Sequence, residues 1–154
     1  MVVQNRLPTK NRLKSWGMEV NEECELCKSA VETREHLFYD CNFSRQLWIE
    51  ILSLCGQSRE VTSWQGELQW AIQRLRGKSL NAVILRVAWH AVIYFIWQER
   101  NNRLHRNKVE TVQHILEKIK EVVRFRLWEL KKISINPVNL SLYRSWQLSH
   151  KIFV

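Results

Sequence analysis

At 154 residues and a formal net charge of +9, this chain has room for about one domain. Hydrophobic residues make up 45% and include 8 tryptophans, which excludes wholesale disorder, while only 4 glycines and 2 prolines argue against a turn-rich all-β architecture. Met1 leads into Gln4, Asn5 and Arg6 rather than into the apolar core of a secretory leader. The longest apolar run, Ala82 to Trp97, is interrupted by Arg86 and His90 and falls short of the ~20 residues a membrane span needs. An intracellular, reducing setting with no membrane partner is therefore expected, in nucleus or cytoplasm.

In chain order, Pro8-Thr9 opens a short helix carrying Leu13 and Trp16 and stopped at Gly17. Its bases are Arg6, Lys10, Arg12 and Lys14, with no acid before Glu19. A polar loop follows, Asn-Glu-Glu-Cys-Glu-Leu-Cys-Lys, too charged to be a core strand. Thr33 is placed to cap a segment holding His36, Leu37 and Phe38. Ser44 is expected to start a helix with Leu47, Trp48, Ile51, Leu52 and Cys55 on one face, closed by Gly56. Residues 57–61 read as a loop, Thr62-x-x-Gln65 resembles a capping box, and Leu68, Ala71, Ile72 and Leu75 recur at helical spacing up to Gly77.

Ser79 then caps a much longer helix running to about Asn107, whose apolar positions include Leu80, Val83, Ile84, Val87, Ala91, Tyr94 and Phe95. A last long helix is predicted from about Val109 to Ile133, where Val109, Val112, Leu116, Ile119, Val123, Leu130 and Ile133 follow a near-heptad broken at Arg126. Such a seam packs most simply against the preceding helix as an antiparallel hairpin, with a self-associating coiled coil as the alternative. Asn136-Pro137 breaks the chain, and a segment with Leu140, Tyr143 and Trp146 is expected to fold back on the hairpin. The predicted fold is mostly α: a small N-terminal module over residues 1–56, which Cys24, Cys27, His36 and Cys41 mark as zinc-stabilised, then a helical region over 57–154 with a hairpin at about 79–107 and 109–133 and a C-terminal tail.

The zinc expectation comes from Cys24, Cys27, His36 and Cys41, in the pattern C-x2-C-x8-H-x4-C. Zinc takes four soft or borderline ligands in a tetrahedron, and a two-residue gap lets two thiolates grip one ion from a single tight loop. The rival is a redox-active cysteine pair, but no βαβ pattern surrounds it and His36 would have no part in it. All four positions being filled by protein, one structural Zn2+ is predicted and no catalytic residue. The remaining histidines are scattered, and His90, amid apolar neighbours, reads as a core residue. Cys55 reads as a core thiol.

Charge is unevenly distributed. Residues 19–67 hold 10 acids against 4 bases, so the expected zinc lobe is acidic and poorly suited to grip phosphates. Nucleic-acid contact is instead expected from Lys10, Arg12 and Lys14 before it and from Arg100, Arg103, Arg106 and Lys108 after it. Arg100, Arg103 and Arg106, at i, i+3 and i+6, would project from one sector of a helix toward a phosphate backbone. A helix-end placement favoured by the macrodipole is the plainer account of the same run. The partner expected is RNA or DNA without sequence preference. The alternative is a protein-interaction module that docks a partner through the acidic lobe and the exposed part of the heptad helix, with Trp64 and Trp70 as anchors. A small-molecule substrate is not expected.

Leu7-Pro8-Thr9, Leu13, Trp16-Gly17, Cys24-x2-Cys27, His36-Leu37-Phe38, Cys41, Ser44 and Trp48 together resemble the reverse-transcriptase zinc-binding module near the C-terminus of plant non-LTR, LINE-type retrotransposon polyproteins. The run Ile96-Trp97-Gln98-Glu99-Arg100-Asn101-Asn102-Arg103 resembles the tail that follows that module. The resemblance implies the metal-ligand role for Cys24, Cys27, His36 and Cys41, and an accessory role in handling template RNA or target DNA beside the polymerase; under the protein-interaction alternative the partner expected is the polymerase body or a host protein. It also implies an apolar, tryptophan-containing helix before the Leu-Pro-Thr element, whereas six residues precede Leu7 here and the polymerase body is missing. A detached C-terminal piece of such an element, remnant or co-opted, is the expectation.

Overall fold

The structure is a computed structural model that describes residues 1–130 and 132–153. Among these residues there is no sheet, only isolated bridges between Glu23 and Val31 and between Ile133 and Phe153. The helices are α1 (Lys10–Ser15), α2 (Asn42–Leu54), α3 (Trp64–Arg74), α4 (Leu80–Arg106), α5 (Val112–Trp128) and α6 (Pro137–Trp146). A π-helical turn, His36–Asp40, precedes α2, and a 3-10 turn, His150–Ile152, follows α6.

The all-α expectation holds, and so does the hairpin. α4 and α5 pack against each other along their length, joined by residues 107–111. Their starts are fixed by side-chain caps: the Ser79 hydroxyl accepts from Ala82 N at 3.2 Å, and that of Thr111 accepts from His114 N at 3.1 Å. Asn107, in the left-handed region at φ 51°, ends α4. At 27 residues α4 has the length and apolar character to cross a bilayer, more than the interrupted apolar run indicated, yet half of its most apolar window is buried in the protein.

Several expected boundaries move. α5 ends at Trp128 rather than near residue 133: Val109 is exposed, and Ile133 instead donates its N–H to Ile152 O at 2.7 Å. Apolar spacing alone could not separate a helical seam from that bridge. α2 begins at Asn42, and Ser44 is a buried residue whose hydroxyl donates to Leu37 O. The cap of α3 is Ser63, one residue after the predicted Thr62, because the Thr62 N–H and hydroxyl bond Glu67 instead. α3 ends at Arg74, before Gly77, and buries Trp64 and Glu67 with Ala71; of the rest of the expected stripe, Leu68 and Leu75 are half-buried and Ile72 is exposed.

One buried cluster runs from Leu7 to Ile152. At its centre Tyr39, from the π turn, sits 5.6 Å from both Trp64 and Trp89, and Trp48 of α2 meets Trp89 edge-on at 5.5 Å. α2 therefore lies between the cysteine-bearing lobe and the hairpin, touching the π turn on one side and α4 and α5 on the other. α6 closes over the far side, with Leu142 and Trp146 buried.

Candidate metal centre

The first two cysteines sit on a tight knuckle. Cys24 N donates to Ala30 O at 2.8 Å, and Lys28 N to Cys24 O at 2.9 Å. Lys28 takes φ 55°, the left-handed conformation that lets the chain reverse within five residues. The second pair is placed by the π turn. Thr33 caps it as expected, its hydroxyl accepting from His36 N at 3.0 Å. On an α-helix, residues five apart point roughly 140° away from each other. Here Cys41 N bonds His36 O at 2.7 Å, an i+5 bond whose wider turn brings His36 and Cys41 toward the same side.

The result is one cluster. The Sγ atoms of Cys24 and Cys41 are 4.0 Å apart, Cys27 Sγ is 3.2 Å from His36 Nε2, and all four ligand atoms lie within 4.8 Å of one another. Tetrahedral zinc with thiolate bonds near 2.3 Å places its sulfurs about 3.8 Å apart, so the cage fits. Three thiols and an imidazole are also the donor chemistry that zinc favours over harder ions. Cys24 and Cys41 are buried, Cys27 and His36 half-buried, and the Ser29 hydroxyl donates to Cys27 Sγ at 3.3 Å. The thiol hydrogen bond between Cys24 and Cys41 raises the pKa of Cys24, with burial adding to it, and lowers that of Cys41. Backbone N–H groups of Phe43 and Ser44, in the first turn of α2, favour the Cys41 thiolate further. Cys55 stands apart in the core; burial pushes its thiol up to about 12.

The cysteine lobe is tied to the hairpin by buried carboxylates that the sequence did not single out. Glu32 accepts from Lys10 N at 3.0 Å, Glu25 N at 3.2 Å, and Arg100 Nε and Nη2 at 3.0 and 2.8 Å. Glu99 accepts from Arg103 Nε at 2.6 Å and Glu110 N at 2.9 Å. Glu67 accepts from Arg59, Thr62 N and Trp48 Nε1. Burial alone would raise the Glu67 pKa, but the Arg59 guanidinium and these donors outweigh it and hold the group below its ordinary value.

Those pairs change the standing of the residues expected to meet phosphates. Arg100 is not on an exposed sector: its side chain is 3% exposed and faces Glu32. Arg103 bonds Glu99, Leu26 O and Glu110 O. Lys10 is buried against Glu25 and Glu23 O, and Lys14 is exposed but paired with Glu22. Arg12 stacks over the Trp16 ring at 5.0 Å. Only Arg106 and Lys108 of that helix-end run are exposed without a carboxylate partner among the described residues. His90 is exposed, not core, with Nδ1 2.7 Å from Arg86 O. Trp64 is buried in the core, whereas Trp70 is half-buried, packing on Trp48 and under Arg59.

Fold and site together define an all-helical protein with a Cys3His metal-binding cluster near its N-terminus. Residues 1–48 match the family described as zinc-binding in reverse transcriptase, a segment that contains all four cluster residues. That module binds zinc and is not catalytic, in line with the expectation that this chain is not an enzyme. No curated protein and no solved structure matches the chain.

Proposed function

We propose that the chain is a non-catalytic accessory domain of the retrotransposon reverse-transcriptase kind, held together by one structural Zn2+ on Cys24, Cys27, His36 and Cys41. The convergence of four ligand atoms within 4.8 Å carries this reading. The ion would supply cross-linking and no reaction: four protein donors leave no position for water or substrate. The residues do the rest. The knuckle and the π turn hold the ligands in register, and Glu32 with Arg100 fastens the lobe to α4.

Non-specific contact with nucleic acid is the second part of the proposal. It is supported by the basic balance of the chain outside residues 19–67, 20 bases against 5 acids. Arg12, Arg106 and Lys108 remain candidates, whereas Lys10, Arg100 and Arg103 serve the fold. Metal analysis of the purified protein tests the first part: one zinc per chain is expected, falling to near none in Cys27→Ser. Salt-dependent retardation of labelled RNA and DNA tests the second, and binding insensitive to ionic strength would contradict it.

A further inference from the structure

Resting on that nucleic-acid reading, we infer that the open end of the α4–α5 hairpin is a stacking platform for single-stranded nucleic acid. Phe125 and Trp128 stand at i and i+3 on α5, so they share a face, and they are 74% and 60% exposed. A cation borders the Trp128 ring, and Arg124 precedes Phe125 on α5. Lys151, delivered by the 3-10 turn, places its Nζ 4.8 Å from the Trp128 ring centroid. Arg124 donates to Gln147 Oε1 at 3.2 Å, which brings the end of α6 alongside. Between them lies a cleft of about 310 Å³ lined by Arg124, Phe125, Trp128, Gln147, Leu148 and Ser149.

Charge pairing separates this end from the rest of the molecule. Every ion pair among the described residues has both members before residue 121. Residues 121–154 hold six lysines and arginines against two acids, Glu121 and Glu129, and neither acid pairs with a cation among the described residues. The macrodipole favours cations at the end of α5. It does not account for Lys151, which comes from another element, or for two exposed aromatic rings between the cations. A polyanion with accessible base faces matches both features: cations displace its counterions, and each ring offers a surface for a base. A duplex keeps its bases stacked inside and has no face to offer. A protein partner would be better served by an apolar centre depleted of charge.

The test uses the full zinc-loaded chain with labelled poly(U) and poly(dT) oligonucleotides and a duplex of equal length, at low and moderate salt. Single strands should bind more tightly than duplex. A Phe125→Ala, Trp128→Ala double variant, at exposed positions, should keep its melting temperature and lose roughly thirtyfold or more in single-strand affinity. Arg124→Gln with Lys151→Gln should reduce the salt slope by about 1.4. Wild-type binding that the aromatic variant retains in full would overturn the platform and leave the nucleic-acid reading standing. No binding of any oligonucleotide at low salt would overturn both. Concentration-dependent self-association abolished by the aromatic variant, without change in oligonucleotide affinity, would assign this face to a protein contact instead.

Discussion

Four donors from three parts of the chain surround the buried Glu32 carboxylate. Removing one member of such a pair strands the other away from water. Arg100→Gln is therefore expected to lower stability by about 3 kcal/mol in a denaturant titration, whereas Arg106→Gln, at an exposed position, should leave the midpoint unchanged. Equal midpoints for the two variants would contradict the placement of Arg100. Glu67 gives a pH signature. Its folded pKa lies below the ordinary 4.5, so its contribution is fully present above that value and is lost as pH falls below it. The melting temperature of the wild type should fall more steeply between about pH 5 and pH 3 than that of Glu67→Gln. The Cys3His cluster was legible in the sequence because its spacing is chemically restrictive. Glu32, Glu67 and Glu99 were not: in a stretch of many acids, nothing local distinguishes a solvated carboxylate from one that a distant arginine will meet.

Helix starts were read best where a short polar side chain stands alone before an apolar period. Ser79 is such a case, and Ser79→Ala should cost about 1 kcal/mol, measured by thermal or chemical unfolding; no loss would mean the cap at Ala82 N contributes nothing. Where two candidates adjoin, as at Thr62 and Ser63, a tertiary bond decided: Glu67 takes Thr62 and leaves the cap to Ser63. The π turn at His36–Asp40 was not legible, since no residue pattern marks an i+5 bond, yet it is what aligns His36 with Cys41. The end of α5 was overrun for a related reason. Leu130 and Ile133 continue the apolar spacing, but Ile133 serves a bridge to the C-terminal segment. The cationic run 100–108 was legible as charge, but only its second half is surface: Arg100 and Arg103 meet carboxylates on the inward side of α4, while Arg106 and Lys108 are exposed.

At the scale of the whole molecule, the metal site is a corner of a shared core rather than an appendage. Cys41 is the residue before α2, and α2 buries Leu47, Trp48, Ile51 and Leu52 against the neighbours that also hold α4 and α5. Composition and periodicity made the helical class and the hairpin visible. They could not show how the lobe attaches, because the joints are long-range: Glu32 to Arg100, Leu26 to Arg103, Tyr39 to Trp89. Loss of metal should consequently be felt well beyond the ligands. The most direct measurement is thermal unfolding of the zinc-loaded chain before and after the metal is stripped by a chelator, followed by zinc re-addition. A structural ion predicts a fall in Tm of about 10 °C or more, reversed on re-addition; an unchanged Tm in a chain shown to have lost its zinc would contradict the account.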